Sequence, residues 1–82
     1  MRRLEIPRAF VLINIELGSE DEVLKELKTI EGIEESYFTY GVYDIITKIR
    51  ADTMEKLREM LTRQIRAVSK VRSTLTLVMM DE

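Results

Sequence analysis

The stretch from residue 9 to residue 17 reads AFVLINIEL and predicts the first β-strand of the fold. β-Branched residues are frequent in it, and its length is typical of a single strand. Alternate positions form one apolar face: Val11, Ile13, Ile15 and Leu17. The other face begins apolar and ends polar: Phe10, Leu12, Asn14 and Glu16. We therefore expect the first face to be buried and the second to be half covered.

A helix is predicted directly after this strand, over residues 20–30. Gly18 breaks the strand, and Ser19 followed three residues later by Glu22 has the spacing of a capping box. Apolar residues then recur at helical spacing as far as Ile30. Gly32 stands where a glycine commonly follows the end of a helix.

The second half of the chain predicts a hairpin, a helix and a closing strand. Residues 34–40 (EESYFTY) and 44–51 (DIITKIRA) predict two strands, and their short connection predicts an antiparallel hairpin. Asp52 is placed to cap the second helix, with Glu55 three residues on. Its apolar stripe steps by three or four residues: Met54, Leu57, Leu61, Ile65 and Val68. Residues 71–80 (VRSTLTLVMM) predict the last strand.

The order β-α-β-β-α-β predicts an α+β fold, the ferredoxin-like plait. Two interleaved right-handed βαβ units give a four-stranded antiparallel sheet of order 4-1-3-2, with both helices on one face. The opposite face is then left open, and we expect it to expose an apolar patch: Phe10, Leu12, Val78 and Met80. Because soluble monomers rarely expose such patches, we expect the chain to dimerise through this open face.

The composition excludes several classes of protein. The 82 residues suffice for one domain, which we place at residues 9–82 after a tail of residues 1–8. The chain has no cysteine and no histidine, which argues against disulfides, the usual metal sites and the commonest acid–base and thiol chemistries. We therefore predict that the protein is not an enzyme and uses no metal or cofactor.

Charge and hydropathy point to a cytoplasmic protein that does not bind nucleic acid directly. The formal net charge is -2, whereas domains that bind nucleic acid are commonly basic. No apolar run approaches the ~20 residues of a membrane span, and no signal-peptide segment is present, so we expect no contact with a membrane.

The hairpin and the last strand contain candidate ligand-binding residues. Gly41 can adopt a positive φ and let a ligand approach bare backbone, and Asp44 follows three residues later. Thr74 and Thr76 share one face of the last strand. A free amino acid needs a carboxylate for its ammonium group and hydroxyl or amide donors for its own carboxylate. These residues supply both, but Gly-x-x-Asp is equally an ordinary hairpin pattern, and threonine is an ordinary strand residue.

Two segments, residues 40–46 (YGVYDII) and 71–78 (VRSTLTLV), resemble the amino-acid-binding (RAM) domain of the Lrp/AsnC transcription regulators. That domain has the β-α-β-β-α-β order, a Gly-x-x-Asp between strands two and three, and a fourth strand similar to Val-x-x-Thr-x-Thr. The resemblance covers residues 9–80. It implies an amino-acid effector and dimers that assemble further, into an octamer. The effector would lie between dimers, held by two groups of residues: Gly41, Val42, Tyr43 and Asp44 of one chain, and Thr74 and Thr76 of a neighbour.

The chain departs from the family pattern in two places. Full-length members carry an N-terminal helix-turn-helix domain, whereas eight residues precede the first predicted strand here. The resemblance therefore implies a stand-alone module that senses amino acids alone or co-assembles with full-length regulators. In addition, Lys70 stands where the family usually has glycine.

The sequence is also compatible with two functions of other classes. A small cofactor-free enzyme of the dimeric α+β barrel type would need an acid or base buried between the facing sheets. A structural oligomeric adaptor would show no effect of small molecules on its stability.

Overall fold

The computed structural model describes residues 6–79, and its elements follow the predicted order. They are β1 (Arg8–Ile15), α1 (Glu20–Leu27), β2 (Ile33–Phe38), β3 (Ile45–Arg50), α2 (Met54–Glu59), a π-helical segment that continues α2 (Met60–Ile65), and β4 (Val71–Val78). The strands form one sheet of order β2-β3-β1-β4, in which every neighbouring pair is antiparallel. This confirms the ferredoxin-like plait. Strand β1 begins one residue before the predicted boundary, and residues 1–5 of the predicted tail lie outside the described range.

The core lies between one face of the sheet and the helices. Every second residue of β1 is buried there, as the period of a strand requires. The cluster also takes fully buried side chains from β3 and from both helical regions: Ile45, Ile49, Val23, Leu27, Leu57 and Ile65. Each fully buried aliphatic side chain of this size contributes about 1.5–3 kcal/mol. The buried hydroxyl of Thr47 hydrogen bonds with Ser36, so this polar group does not oppose folding.

The opposite face of the sheet is open and apolar, but its β4 residues are not the predicted ones. Leu75 lies opposite Leu12 and Leu77 opposite Phe10, and the two β4 leucines are 44% and 51% exposed. Val78 lies opposite the buried Ala9 and therefore belongs to the helix-covered face, so its assignment to the open face was wrong. Met80, the other predicted residue, lies outside the described range.

The start and end of α1 differ from the prediction. Ser19 has φ of -103° and ψ of 14°, and it makes no side-chain capping bond. Its hydroxyl instead donates to the carbonyl oxygen of Glu16 at 2.6 Å, so the predicted capping box is absent. Glu22 pairs with Lys70 at 3.5 Å. The helix ends at Leu27, and Gly32, with φ of +102°, belongs to the turn that leads into β2.

Helix α2 is capped by Thr53 and not by Asp52. Thr53 has an extended backbone, and its hydroxyl accepts the amide of Lys56 at 3.0 Å. This is the geometry of an N-cap residue. Residue 52 is one position too early to make this bond.

The predicted apolar stripe of the second helix is confirmed for four of its five residues: Leu57, Ile65 and Val68 are buried, and Leu61 packs against the core. The π-helical segment adds Met60, which is 7% exposed, to this buried side. Met54, at the start of that stripe, is 46% exposed.

Within residues 6–79, no helix has the length and apolar character that crossing a bilayer would require.

Candidate functional site

The turn between β2 and β3 is closed by two hydrogen bonds made by Thr39. Its amide donates to the carbonyl oxygen of Asp44 at 2.9 Å, and its hydroxyl donates to the carbonyl oxygen of Tyr43 at 2.7 Å. Gly41 lies at the tip with φ of +128°, and no atom lies within 4 Å of where its Cβ would be. Glycine is therefore required for the backbone conformation and not for lack of space. The space beside this backbone is open to a ligand.

Asp44 fastens the end of β1 to this turn. Its amide donates to the carbonyl oxygen of Ile13, and its Oδ2 accepts the amide of Ile15, both at 2.9 Å. Strand β3 begins at residue 45, so no backbone carbonyl of β3 reaches the Ile15 amide, and the carboxylate takes its place. Among residues 6–79, the Oδ1 atom of Asp44 has no hydrogen-bond or ion-pair partner. One carboxylate oxygen is thus left to accept a ligand's ammonium group.

Thr74 and Thr76 are not close to Asp44 within one chain. They lie on the helix-covered side of β4, opposite Ile13 and Val11. Strand β1 separates β4 from β3, so the distance across the sheet is two strand spacings, about 10 Å. The structure therefore brings the four turn residues together but leaves both threonines on an edge strand, where only a neighbouring chain could join them to a turn.

Asn14, on the strand next to β3, lies nearer to Asp44 than either threonine and was not predicted as a site residue. Asn14 follows Ile13 on β1, and its Nδ2 donates to Ser73 Oγ of β4 at 3.3 Å. The sequence did contain a signal, since the open face of β1 changes from apolar to polar at Asn14.

Apolar side chains crowd the same end of the molecule. Tyr40 and Val42 in the turn are 106% and 81% exposed, and Leu17, in the connection after β1, is 100% exposed. Side chains of this kind favour contact with another chain or with a ligand.

Farther along β2, Tyr37 donates to Glu35 at 2.9 Å. This hydrogen bond, together with the charge of Glu35, raises the pKa of Tyr37 above its ordinary value of 10.0.

A concave region of about 390 Å³ lies at the end of the sheet away from the β2–β3 turn. It is bounded by Gly32 and by the start of the π-helical segment at Met60. Its charged lining is of mixed sign: Glu31, Asp52, Glu59, Arg50 and Lys56. In the part of the chain that the structure describes, no three acidic side chains are grouped closely enough to hold a metal ion.

Comparison with known proteins identifies the family of this domain. The model of the Lrp/AsnC ligand binding domain matches residues 8–82. The HTH-type transcriptional regulator FL11 of Pyrococcus abyssi is 36% identical over 72 residues, which are 88% of this chain and 47% of that protein. The chain thus spans about half the length of the curated relatives it matches.

Solved structures agree with this assignment. The crystal structure of FFRP-DM1 superposes with a TM-score of 0.87 at 32% identity, covering 93% of this chain and 100% of that one. A feast or famine regulatory protein from M. tuberculosis, complexed with L-methionine, has the same fold, with a TM-score of 0.76 at 24% identity. It aligns with 100% of this chain, and the alignment covers 59% of that protein.

The relatives are transcriptional regulators and not enzymes, which argues against the cofactor-free enzyme that the sequence had left open. The chain belongs to the Lrp/AsnC family, and its described residues form the ligand-binding domain of that family.

Proposed function

We propose that this domain binds a free amino acid at the β2–β3 turn and that the bound ligand modulates transcription through the protein's assembly. The main support is the geometry of Asp44, whose Oδ2 is used to fasten β1 while its Oδ1 has no partner among residues 6–79. An unpaired carboxylate oxygen beside the open backbone of Gly41 suits a ligand ammonium group. The M. tuberculosis regulator complexed with L-methionine supports an amino acid as the ligand class.

The second part of the site comes from another copy of the chain. Thr74 and Thr76 lie on an edge strand, about two strand spacings from Asp44 of the same chain. In the proposed assembly, their hydroxyls face the turn of a neighbour (Gly41, Val42, Tyr43 and Asp44) and donate to the ligand's carboxylate. The exposed Tyr40 and Val42 then form part of the contact between copies.

The open sheet face is the proposed dimer interface. Leu75 and Leu77 continue the apolar surface of Phe10 and Leu12 across β1 and β4. Covering this face with a second copy would remove it from water, and dimers would then assemble further, into an octamer. In this proposal the protein acts in the cytoplasm.

Full-length Lrp/AsnC-type regulators are proposed as further partners. The elements described in residues 6–79 are all part of the ligand-binding domain, and the net charge is -2. We therefore expect no specific binding of duplex DNA by these residues alone. A salt-sensitive, sequence-selective gel shift at nanomolar protein would contradict this part of the proposal.

A thermal-shift screen of the twenty amino acids tests the proposed ligand class. A ligand that binds only the folded assembly stabilises it by about 2.7 kcal/mol at 100 times its Kd. We expect at least one amino acid to raise the melting temperature, and light scattering to report a dimer or larger. No shift with any amino acid would favour the structural adaptor. A monomer at micromolar concentration would contradict both the assembly and a site shared between copies.

A further inference from the structure

The domain divides into an acidic half and a basic half. The acidic half, residues 20–38, contains α1 and β2, and its seven acidic and two basic side chains give a net charge of -5. The basic half, residues 54–78, contains α2, the π-helical segment and β4, and its six basic and two acidic side chains give a net charge of +4. The small net charge of the whole chain, -2, is therefore the balance of two larger opposite charges.

The topology places the two halves on opposite sides of the domain. Strands β2 and β4 are the two edges of the sheet, and β3 and β1 lie between them. The crossover from β1 to β2 therefore passes over β3, and the crossover from β3 to β4 passes over β1. Because each crossover contains the helix of its own half, one side of the domain is acidic and the other side is basic.

Most of these charges have no partner within the chain. Within residues 6–79, a single ion pair joins the two halves, the exposed contact between Lys70 and Glu22 at 3.5 Å. Four exposed basic residues of the second helix make no ion pair with any described residue: Lys56, Arg58, Arg63 and Arg66. The same is true of four exposed acidic residues: Glu20, Asp21, Glu26 and Glu31. These side chains are available to pair with another molecule.

A second copy of this chain fits both halves. The basic half of one copy is complementary in charge to the acidic half of another, and each copy then keeps one half for a third. Such a head-to-tail contact closes into a ring when its rotation allows. The helices lie on the side of the sheet away from the open face, so a dimer formed through the open face leaves both helices accessible.

This contact also has the direction that the proposed shared site requires. Thr74 and Thr76 lie on β4, in the basic half, whereas the β2–β3 turn follows β2 of the acidic half. Docking the basic half of one copy against the acidic half of the next therefore brings β4 toward the neighbour's turn. The charge pattern and the site were inferred from different residues, and both select the same two sides of the domain.

We propose that dimers are joined head to tail, with the basic half of one copy docked against the acidic half of a copy in the next dimer. This inference rests on the assembly part of the proposed function, because it names the surfaces through which dimers associate further. Charge complementarity sets which sides meet and steers their encounter.

A salt titration of the wild type, followed by light scattering, tests the electrostatic contact. The Debye length falls from about 10 Å at 0.1 M salt to about 3 Å at 1 M, so attraction between exposed charges is strongly screened at the higher concentration. We expect oligomers larger than a dimer at the lower concentration and dimers at the higher one, since the open-face contact is apolar. Dimers alone at both concentrations, or larger oligomers that withstand the higher one, would overturn the inference.

Two charge-reversed variants identify the surfaces. Arg63→Glu with Arg66→Glu brings the basic half to a net charge of 0, and Glu26→Lys with Glu31→Lys brings the acidic half to -1. Each should weaken the association of dimers at least about tenfold. The unliganded melting temperature should be that of the wild type, because these side chains are exposed and unpaired among residues 6–79. Arg63→Lys with Arg66→Lys is the matched control, which keeps the charge and should assemble as the wild type does.

An equimolar mixture of the two reversed variants completes the test. It contains one unaltered acidic half and one unaltered basic half, so it should form larger species than either variant alone. Wild-type assembly of both reversed variants would overturn this inference, whereas an amino-acid thermal shift in the wild type would still support the ligand. No thermal shift with any of the twenty amino acids, with salt-sensitive oligomers retained, would overturn the proposed ligand and leave this inference standing.

Discussion

Replacing Asp44 separates a structural role from a ligand-binding role within one side chain. In the wild type, Oδ2 accepts the amide of Ile15 at 2.9 Å, and Ile15 is 7% exposed. Asp44→Ala leaves that amide without an acceptor where water has little access. A hydrogen bond to a charged group contributes about 1.5–3 kcal/mol, and 1 kcal/mol shifts the melting temperature of a domain of this size by about 4–8 °C. We therefore expect Asp44→Ala to melt on the order of 10 °C lower without any ligand.

Asp44→Asn retains an oxygen acceptor for the Ile15 amide but removes the charge. A neutral hydrogen bond is roughly half as strong as a charge-assisted one, so this variant should lose about half as much stability as Asp44→Ala. A ligand ammonium group would nevertheless lose its charged partner. We expect that loss to cost about 2 kcal/mol, which corresponds to roughly a thirtyfold increase in Kd.

Two measurements on both variants decide between the roles. Calorimetric melts without ligand report the bond to Ile15, and titration with the amino acid that gives the largest thermal shift reports the ligand contact. Wild-type affinity in Asp44→Asn would show that the carboxylate only fastens β1. A wild-type melting temperature in unliganded Asp44→Ala would refute the stabilising role assigned to its hydrogen bond.

Five further substitutions test three local features of the fold by urea unfolding. Lys70 has φ of 74°, a left-handed conformation that glycine adopts at lower cost. Lys70→Gly should therefore stabilise the protein by about 1 kcal/mol, after subtracting the loss of its exposed ion pair with Glu22. An unchanged or lower urea midpoint would contradict this. Gly32→Ala should destabilise by more than ~2 kcal/mol, since its Cβ would lie 2.7 Å from a backbone carbonyl oxygen. A Cβ added at Gly18 would have no atom within 4 Å, so Gly18→Ala should cost only the strain of its positive φ, about 1 kcal/mol. Equal costs at Gly18 and Gly32 would refute the steric argument. Thr53→Ala should cost about 1 kcal/mol as the cap of α2, and Asp52→Ala much less, whereas the reverse order would restore Asp52 as the cap.

The order and type of the elements could be predicted because each has a local cause. The alternation in β1 and the short connection before β3 depend on residues a few positions apart, and both predictions are confirmed. The capping residues were less predictable, since Ser19 and Asp52 have suitable side chains but lack the required position or backbone angles. The π-helical segment was not predicted, because π-helices are rare and this one leaves the apolar stripe from Leu57 to Val68 on the buried side.

The candidate site was predictable in part. The turn from Gly41 to Asp44 is a local unit, and the structure places its residues together as the spacing suggested. Which residues lie beside Asp44 depends on the pairing of β1 with β3 and β4, and that pairing joins positions far apart in the chain. The sequence alone therefore could not show that Asn14 lies beside Asp44, or that Thr74 and Thr76 lie on the helix-covered face of β4; their proposed role in a neighbour's site stays a prediction.

The sequence by itself determined the β-α-β-β-α-β order, the antiparallel sheet and the turn that contains Asp44, because hydrophobic period and turn chemistry act over a few residues. Tertiary structure alone decided which face of β4 is open. Both faces of that strand contain apolar and polar residues, so its own pattern cannot choose between them. The choice is made when Leu75 pairs with Leu12 and Thr76 with Val11, since a shift of one residue would exchange the two faces. The same register places Ser73 beside Asn14 at the end of the open face nearest the β2–β3 turn.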